Sequence, residues 1–126
     1  MAARVKIYFD GGCRPNPGRM EIAVVVRGVA HVTRDMGHGT GMDAEWLALI
    51  AALRIARTLG AADYVLLGDA AAVINQATGR AKCRGGSAAH LATFLALTGT
   101  DALPRIRYIK RAQNLAGIAL AQGHAR

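Results

Sequence analysis

Only eight residues of this chain are acidic: Asp10, Glu21, Asp35, Asp43, Glu45, Asp63, Asp69 and Asp101. Three of them stand where a fold can bring them together. Asp10 closes an alternating segment, Glu45 lies in the early turns of a helical segment, and Asp69 follows a short apolar run. Carboxylates at the ends of elements can converge on one edge of a sheet. Once converged they repel each other and call for a cation, and Mg²⁺ suits them because it takes oxygen ligands and keeps several waters. Each also has a plainer reading. Asp10 can open a turn at Gly11-Gly12, Glu45 can favour a helix N-terminus through the dipole, and Asp69 can cap the next helix. Spacing alone leaves both readings open.

Other chemistries fare worse. Cys13 and Cys83, with His31, His38, His90 and His124, show no zinc-ligand spacing and no Cys-x-x-Cys. Two free thiols in a reducing cytoplasm are the expected state. Gly11-Gly12 follows a strand, but Pro15 and Pro17 come next and no G-x-G-x-x-G is present, which argues against a dinucleotide site. The charge is more informative. Sixteen basic residues, thirteen of them Arg, against eight acidic ones give +8. Arg pairs two phosphate oxygens at once, so this excess favours a polyanionic partner such as nucleic acid. Arg80, Lys82 and Arg84 alternate in one loop, where tracking a phosphate backbone and simple solvation weigh equally. Arg105, Arg107, Lys110 and Arg111 form a second basic stretch around Tyr108. Trp46 reads as core, and His31 and His38 as surface.

The elements that must position these residues follow from periodicity. Residues 4–10 alternate as a strand, with Val5, Ile7 and Phe9 on one face. Residues 11–18 read as a turn-rich loop, 21–27 as a second strand and 29–36 as a third, an antiparallel meander. Thr40 to Asp43 opens a helix with a capping-box pattern, and Gly60 stops it. A strand at 63–67, a short helix from Gly68-Asp69 to Ala77, a helix at 87–97, a strand at 105–109 and a helix at 113–122 complete the chain. Three strands followed by alternating helices and strands predict an α/β fold with a five-stranded mixed sheet flanked by helices, in one domain over 1–126. The apolar fraction of 52% predicts a folded core, and no apolar run is long enough for a membrane span. A cytoplasmic monomer is expected.

Tyr8-Phe9-Asp10-Gly11-Gly12-Cys13-Arg14-Pro15-Asn16-Pro17-Gly18 resembles the first-strand motif of the type 1 ribonuclease H family. Ala44-Glu45-Trp46-Leu47-Ala48-Leu49 resembles its first-helix motif, and Leu66-Leu67-Gly68-Asp69 with Val73-Ile74-Asn75-Gln76 its fourth-strand motif. Arg111, Asn114 and Leu120-Ala121 resemble its last-helix motif. The resemblance implies a ribonuclease H-like fold and a metal-dependent endonuclease that hydrolyses the RNA strand of RNA–DNA hybrids. It implies up to two Mg²⁺ or Mn²⁺ ions, roughly 4 Å apart, that clamp the scissile phosphate. Asp10 matches the carboxylate shared by both ions, with Glu45 and Asp69 as further ligands. Gly11, Gly12, Cys13 and Asn16, with the basic loop of Arg80, Lys82 and Arg84, are the expected contacts to nucleic acid.

The chain departs from the pattern in ways that bear on activity. Where the family places a last Asp, four residues after Asn114, this chain has Ile118. Gly41 and Met42 stand where paired Asn residues are common, and Ala70 and Ala71 where Ser and Gln are. The family's mobile catalytic His has no clear match. The alternative implied is a ribonuclease H-like module that binds nucleic acid without efficient cleavage. Ile118 also has a packing reading, being three residues on from Leu115.

Overall fold

The computed structural model describes residues 4–124. Alternation along the first segment produces β1 (Val5–Cys13), which pairs antiparallel with β2 (Gly18–Val26), itself antiparallel to β3 (Val29–Thr33). Arg27 and Gly28 join β2 to β3 with φ of 51° and 77°, the left-handed pair of a two-residue hairpin that glycine readily supplies. A two-residue β4 (His38–Gly39) leads into α1 (Gly41–Leu59). Then come β5 (Tyr64–Gly68), α2 (Ala71–Ala77), α3 (Ser87–Thr98), β6 (Arg105–Tyr108), a 3-10 turn at Arg111–Gln113 and α4 (Leu115–Ala121). The sheet runs β3-β2-β1-β5-β6, with β5 parallel to β1 and β6 parallel to β5. The expected five-stranded mixed sheet is present. The short β4 is an addition that pairs with β2 beyond the expected third strand, which stops at Thr33.

The two sheet faces carry different cores. Ile7 and Phe9 of β1 pack with Trp46, Leu49 and Leu53 of α1 and with Phe94 of α3. On the opposite face, Ala23 and Val25 of β2 pack with Ala116 and Leu120 of α4, beside Tyr8. Trp46 is fully buried, in accord with its core reading. α1 begins as its sequence demands: Thr40 accepts a hydrogen bond from the Asp43 N–H and its own N–H donates to Asp43, and the helix ends on Gly60 at φ 64°.

Three boundaries differ from the sequence reading, each for a physical reason. β1 continues through Gly11-Gly12, because these residues pair with Ile22 and Glu21 instead of turning. Asp69 does not cap α2. That helix begins two residues later, and its N-cap is Ala70, which makes no side-chain hydrogen bond. α4 begins at Leu115 because residues 111–113 are wound as a 3-10 turn. Among the described residues no helix is long and apolar enough to cross a membrane.

Candidate active site

Gly11 explains how β1 meets α1. A Cβ at this position would collide with the Ala44 carbonyl and the Glu45 backbone. The missing side chain lets the helix cross directly over the strand. Glu45 is thereby brought against β1, where its Oε1 accepts a hydrogen bond of 3.2 Å from the Gly11 N–H. Asp10, one residue earlier, points to the other face of the sheet, toward α4, as strand alternation requires. A Cβ on Gly117 of α4 would lie 3.4 Å from Asp10 Oδ2.

The electrostatics of the pair follow from this packing. Burial pushes the Glu45 carboxyl up to about 8, and the Asp10 charge adds to the rise. Asp10 is pushed up to about 6, first by burial and then by the Asp69 charge, with Arg111 acting in the opposite sense. Two carboxyls that resist ionising together are the expected state of an acidic site with no cation between its charges.

Asp69 follows the C-terminal end of β5, next to β1 in the sheet. A side chain from beyond β6 fixes it. Asn114 is fully buried, and its Nδ2 donates to Asp69 Oδ1 at 2.7 Å and to the Phe9 carbonyl at 3.0 Å. Its Oδ1 accepts from the Ala116 N–H and so caps α4. One side chain thus ties α4 to β1 and to the third carboxylate. Asn before an apolar run is a sequence signal for an N-cap, but nothing in the sequence shows the two longer-range bonds.

One cavity of about 720 Å³ is lined by Asp10, Glu45 and Asp69. Gly11, Gly12, Cys13 and Asn16 also line it. The Cys13 thiol donates to the Pro15 and Gly39 carbonyls, and Asn16 Oδ1 accepts from the Gly41 N–H at the start of α1, 3.0 Å away. Arg80, Lys82 and Arg84 are exposed and lie outside this cavity. Ile118 lines it with 47% of its surface exposed, and Leu115 is equally open at 45%. The packing reading of Ile118 is therefore set aside: the two side chains flank solvent and no core. A group the sequence did not suggest occupies the same cavity. Glu21, buried on β2, accepts from Arg34 at 2.9 Å and is also bonded to His124. His124, near the end of the described residues, is placed by that contact.

Among the described residues, four of the other five carboxylates have ion-pair partners, and the fifth, Asp35, accepts only from the Gly37 N–H. Glu21 holds Arg34, Asp63 holds Arg4 and Arg105, Asp101 holds Arg57, and Asp43 holds His90. Among the described residues, Asp10, Glu45 and Asp69 form a cluster with no ion-pair partner within 4.0 Å. Nor do three or more His, Cys, Asp or Glu side chains form a ready-made metal cage among the described residues. Glu45 is held by Gly11 and Asp69 by Asn114, which spaces them around an open cavity. The donor set still fits a hard divalent cation, provided substrate oxygens and water complete its shell.

A mixed sheet with three antiparallel strands, two parallel ones and an acidic cluster formed within β1 and just past the end of β5 defines a ribonuclease H-like α/β protein. Comparison with known proteins agrees. The family described as Reverse transcriptase-like matches residues 8–124. Ribonuclease HI of Halobacterium salinarum is 43% identical over 81 residues, which are 60% of this chain and 41% of that protein. The crystal structure of RNase H1 from the same archaeon superposes with a TM-score of 0.83 at 30% identity, covering 94% of each chain. LC11-RNase H1, solved in complex with an RNA/DNA hybrid, shares the fold with a TM-score of 0.81 at 24% identity, over 94% of this chain and 95% of that one. The chain belongs to the type 1 ribonuclease H family. It spans about two fifths of the length of the curated Halobacterium relative.

Proposed function

We propose that this chain is a metal-dependent endonuclease that hydrolyses the RNA strand of RNA–DNA hybrids. The observation that carries the reading is the convergence of Asp10, Glu45 and Asp69, from β1, α1 and the end of β5, on one cavity, with no ion pair to any of them within 4.0 Å among the described residues. The three carboxylates are the residues that would hold Mg²⁺ or Mn²⁺. When bound, such an ion supplies a hydroxide-generating Lewis acid and charge neutralisation at the scissile phosphate. Asp10, whose ionisation is influenced by both Glu45 and Asp69, is the carboxylate assigned to be shared. Asn114 orients Asp69 so that one oxygen stays committed to the protein and the other is free for the cavity. Gly12, Cys13 and Asn16 line the same cavity and are the residues a nucleic-acid backbone would approach. The membership of a family with relatives named as ribonucleases H supports this reading.

A second reading has its own observation. No carboxylate from α4 reaches the cluster: Gly117 faces Asp10 and Ile118 is open to solvent. A site with three ligands instead of four favours a protein that binds hybrid and cuts it slowly. Incubating the protein with end-labelled hybrid, double-stranded RNA, single-stranded RNA and double-stranded DNA, each with Mg²⁺, Mn²⁺ or a chelator, separates the two. The first reading expects metal-dependent cleavage confined to RNA in the hybrid. The second expects retained hybrids in a mobility shift with the RNA intact.

A further inference from the structure

Beside the acidic cavity lies a second one, between α2 and β6. It has a volume of about 410 Å³, and its polar lining consists of Asn75, Arg80, Arg107 and Tyr108. No carboxylate lines it. Neither Arg80 nor Arg107 forms an ion pair among the described residues. Tyr108 leaves 57% of its surface to solvent, which is unusual for a ring at the end of a strand and leaves an aromatic face unpartnered. The basic side chains at the opposite end of the parallel strands are different: Arg4, Arg57 and Arg105 are all paired with Asp63 or Asp101.

The sheet register fixes where this groove stands relative to the carboxylates. Tyr108 of β6 is the partner of Gly68 in β5, and the Ile109 N–H donates to the Gly68 carbonyl at 2.8 Å. Asp69 is the next residue along. Neighbouring strands lie about 4.8 Å apart, so the Tyr108 backbone is one strand's width from the end of the acidic cluster. The two cavities share a wall, since Ala71 lines both. That wall is low: Ala70, Ala71 and Ala72 carry no side chain beyond Cβ. A chain of nucleotides leaving Asp69 can pass over the alanines without obstruction.

The geometry points to the α2–β6 groove as a subsite for the nucleic-acid strand that continues past the carboxylates, with one base stacked on Tyr108 and its flanking phosphates held by Arg80 and Arg107. The inference rests on the nucleic-acid reading of the acidic site but not on cleavage there. Stacking on an aromatic ring tolerates any base, and an Arg pair without a competing carboxylate takes phosphate in preference to a neutral ligand. Arg80 thereby acquires a function distinct from that of Lys82 and Arg84, which do not line the groove.

The test is a binding measurement with Ca²⁺ as the non-cutting ion, using the full chain and a fluorescent RNA–DNA hybrid carrying single-stranded extensions on either RNA end. Tyr108→Ala should weaken binding at least about five-fold, and Tyr108→Phe, which keeps the ring, should bind as wild type does. Arg80→Ala with Arg107→Ala should reduce the slope of log affinity against log salt by roughly 0.7 for each phosphate released. Thermal unfolding of each variant verifies that the fold is retained, as expected for side chains this exposed. Wild-type affinity in both Tyr108→Ala and the double Arg variant overturns the subsite and leaves the acidic-site reading intact. A Tyr108 effect on binding in a protein that cuts nothing supports the subsite and contradicts only the nuclease. Wild-type protein that binds no hybrid at all overturns both.

Discussion

Burial, reinforced by the Asp69 charge at Asp10 and by the Asp10 charge at Glu45, makes both carboxyls reluctant to ionise, and this has a consequence for stability that does not depend on substrate. Between the ordinary glutamate value of 4.5 and about 8, folded Glu45 keeps a proton that the unfolded chain has released. Asp10 does the same between 3.8 and about 6. The folded state therefore binds more protons across this window, and stability must fall as pH rises through it. Without metal, the melting temperature should be higher near pH 5 than near pH 8, and Glu45→Gln should flatten the decline. The opposite contribution from Asp43, whose hydrogen bonds from the Thr40 backbone and His90 hold its carboxyl below the usual value, belongs to more acid pH. Differential scanning of both proteins against pH checks this. Added Mg²⁺ should stabilise wild type most at the alkaline end, where both carboxylates are ionised.

Asn114→Ala removes the α4 cap, one donor to Asp69 and one to the buried Phe9 carbonyl, and should cost roughly 2–4 kcal/mol in chemical denaturation. Ile118→Asp is the reverse case. Ile118 is half exposed, so no core packing is lost, but a fourth carboxylate in the acidic cavity should lower metal-free stability modestly through repulsion. The new carboxylate should lower the Mg²⁺ concentration needed for half-maximal cleavage and raise the rate. A metal titration showing no gain in either would place position 118 away from the ions.

At the scale of elements, the decisive contact is between β1 and α1. Gly11→Ala would drive a methyl group into the Ala44 backbone, and backbone cannot turn aside as a side chain can. The expected loss is at least about 1–3 kcal/mol, with Glu45 displaced from the Gly11 N–H. Unfolding in urea measures it. The sequence made most of these elements legible: β1, β2, α1, β5 and β6 follow from alternation, capping and stop signals. What it hid were contacts made across elements. Gly11-Gly12 looks like a turn because glycine punctuates chains locally, yet here glycine is needed for close approach by a distant helix. Asp69 looks like an N-cap because it precedes a helix, yet a buried Asn from the far end of the chain claims its oxygen. Glu21, Arg34 and His124 are remote in sequence, and no spacing rule connects them. The three carboxylates could be proposed as a group only through family motifs, since each taken alone had a sufficient structural reading.

Over the whole molecule, charge is distributed by end. Arg4, Arg57 and Arg105 are neutralised at the N-terminal end of the parallel strands. Arg111 lines the acidic cavity, and Arg80 and Arg107 line the groove beside it. A polyanion is therefore drawn to one end of the sheet, where the acidic cluster would repel it unless cations are bound. Hybrid affinity should fall steeply with salt, with a slope of roughly −0.7 to −0.9 per contacted phosphate. Mg²⁺ should strengthen binding at constant ionic strength, and Ca²⁺ is the convenient non-cutting probe for that comparison.

If Asp10, Glu45 and Asp69 act together as a metal-dependent hydrolytic site, the RNA strand itself reports it. Hybrid labelled on the RNA is incubated with wild type and with Asp10→Asn, at matched protein and Mg²⁺ or Mn²⁺ concentrations, and the products are resolved with their termini assigned. Wild type should release fragments ending in 5′-phosphate and 3′-hydroxyl only when a divalent ion is present. Asp10→Asn, which keeps the shape but removes the shared charge, should leave the RNA uncut while still binding the hybrid. Cleavage by Asp10→Asn at the wild-type rate, or wild-type cleavage undiminished by chelator, would contradict the account.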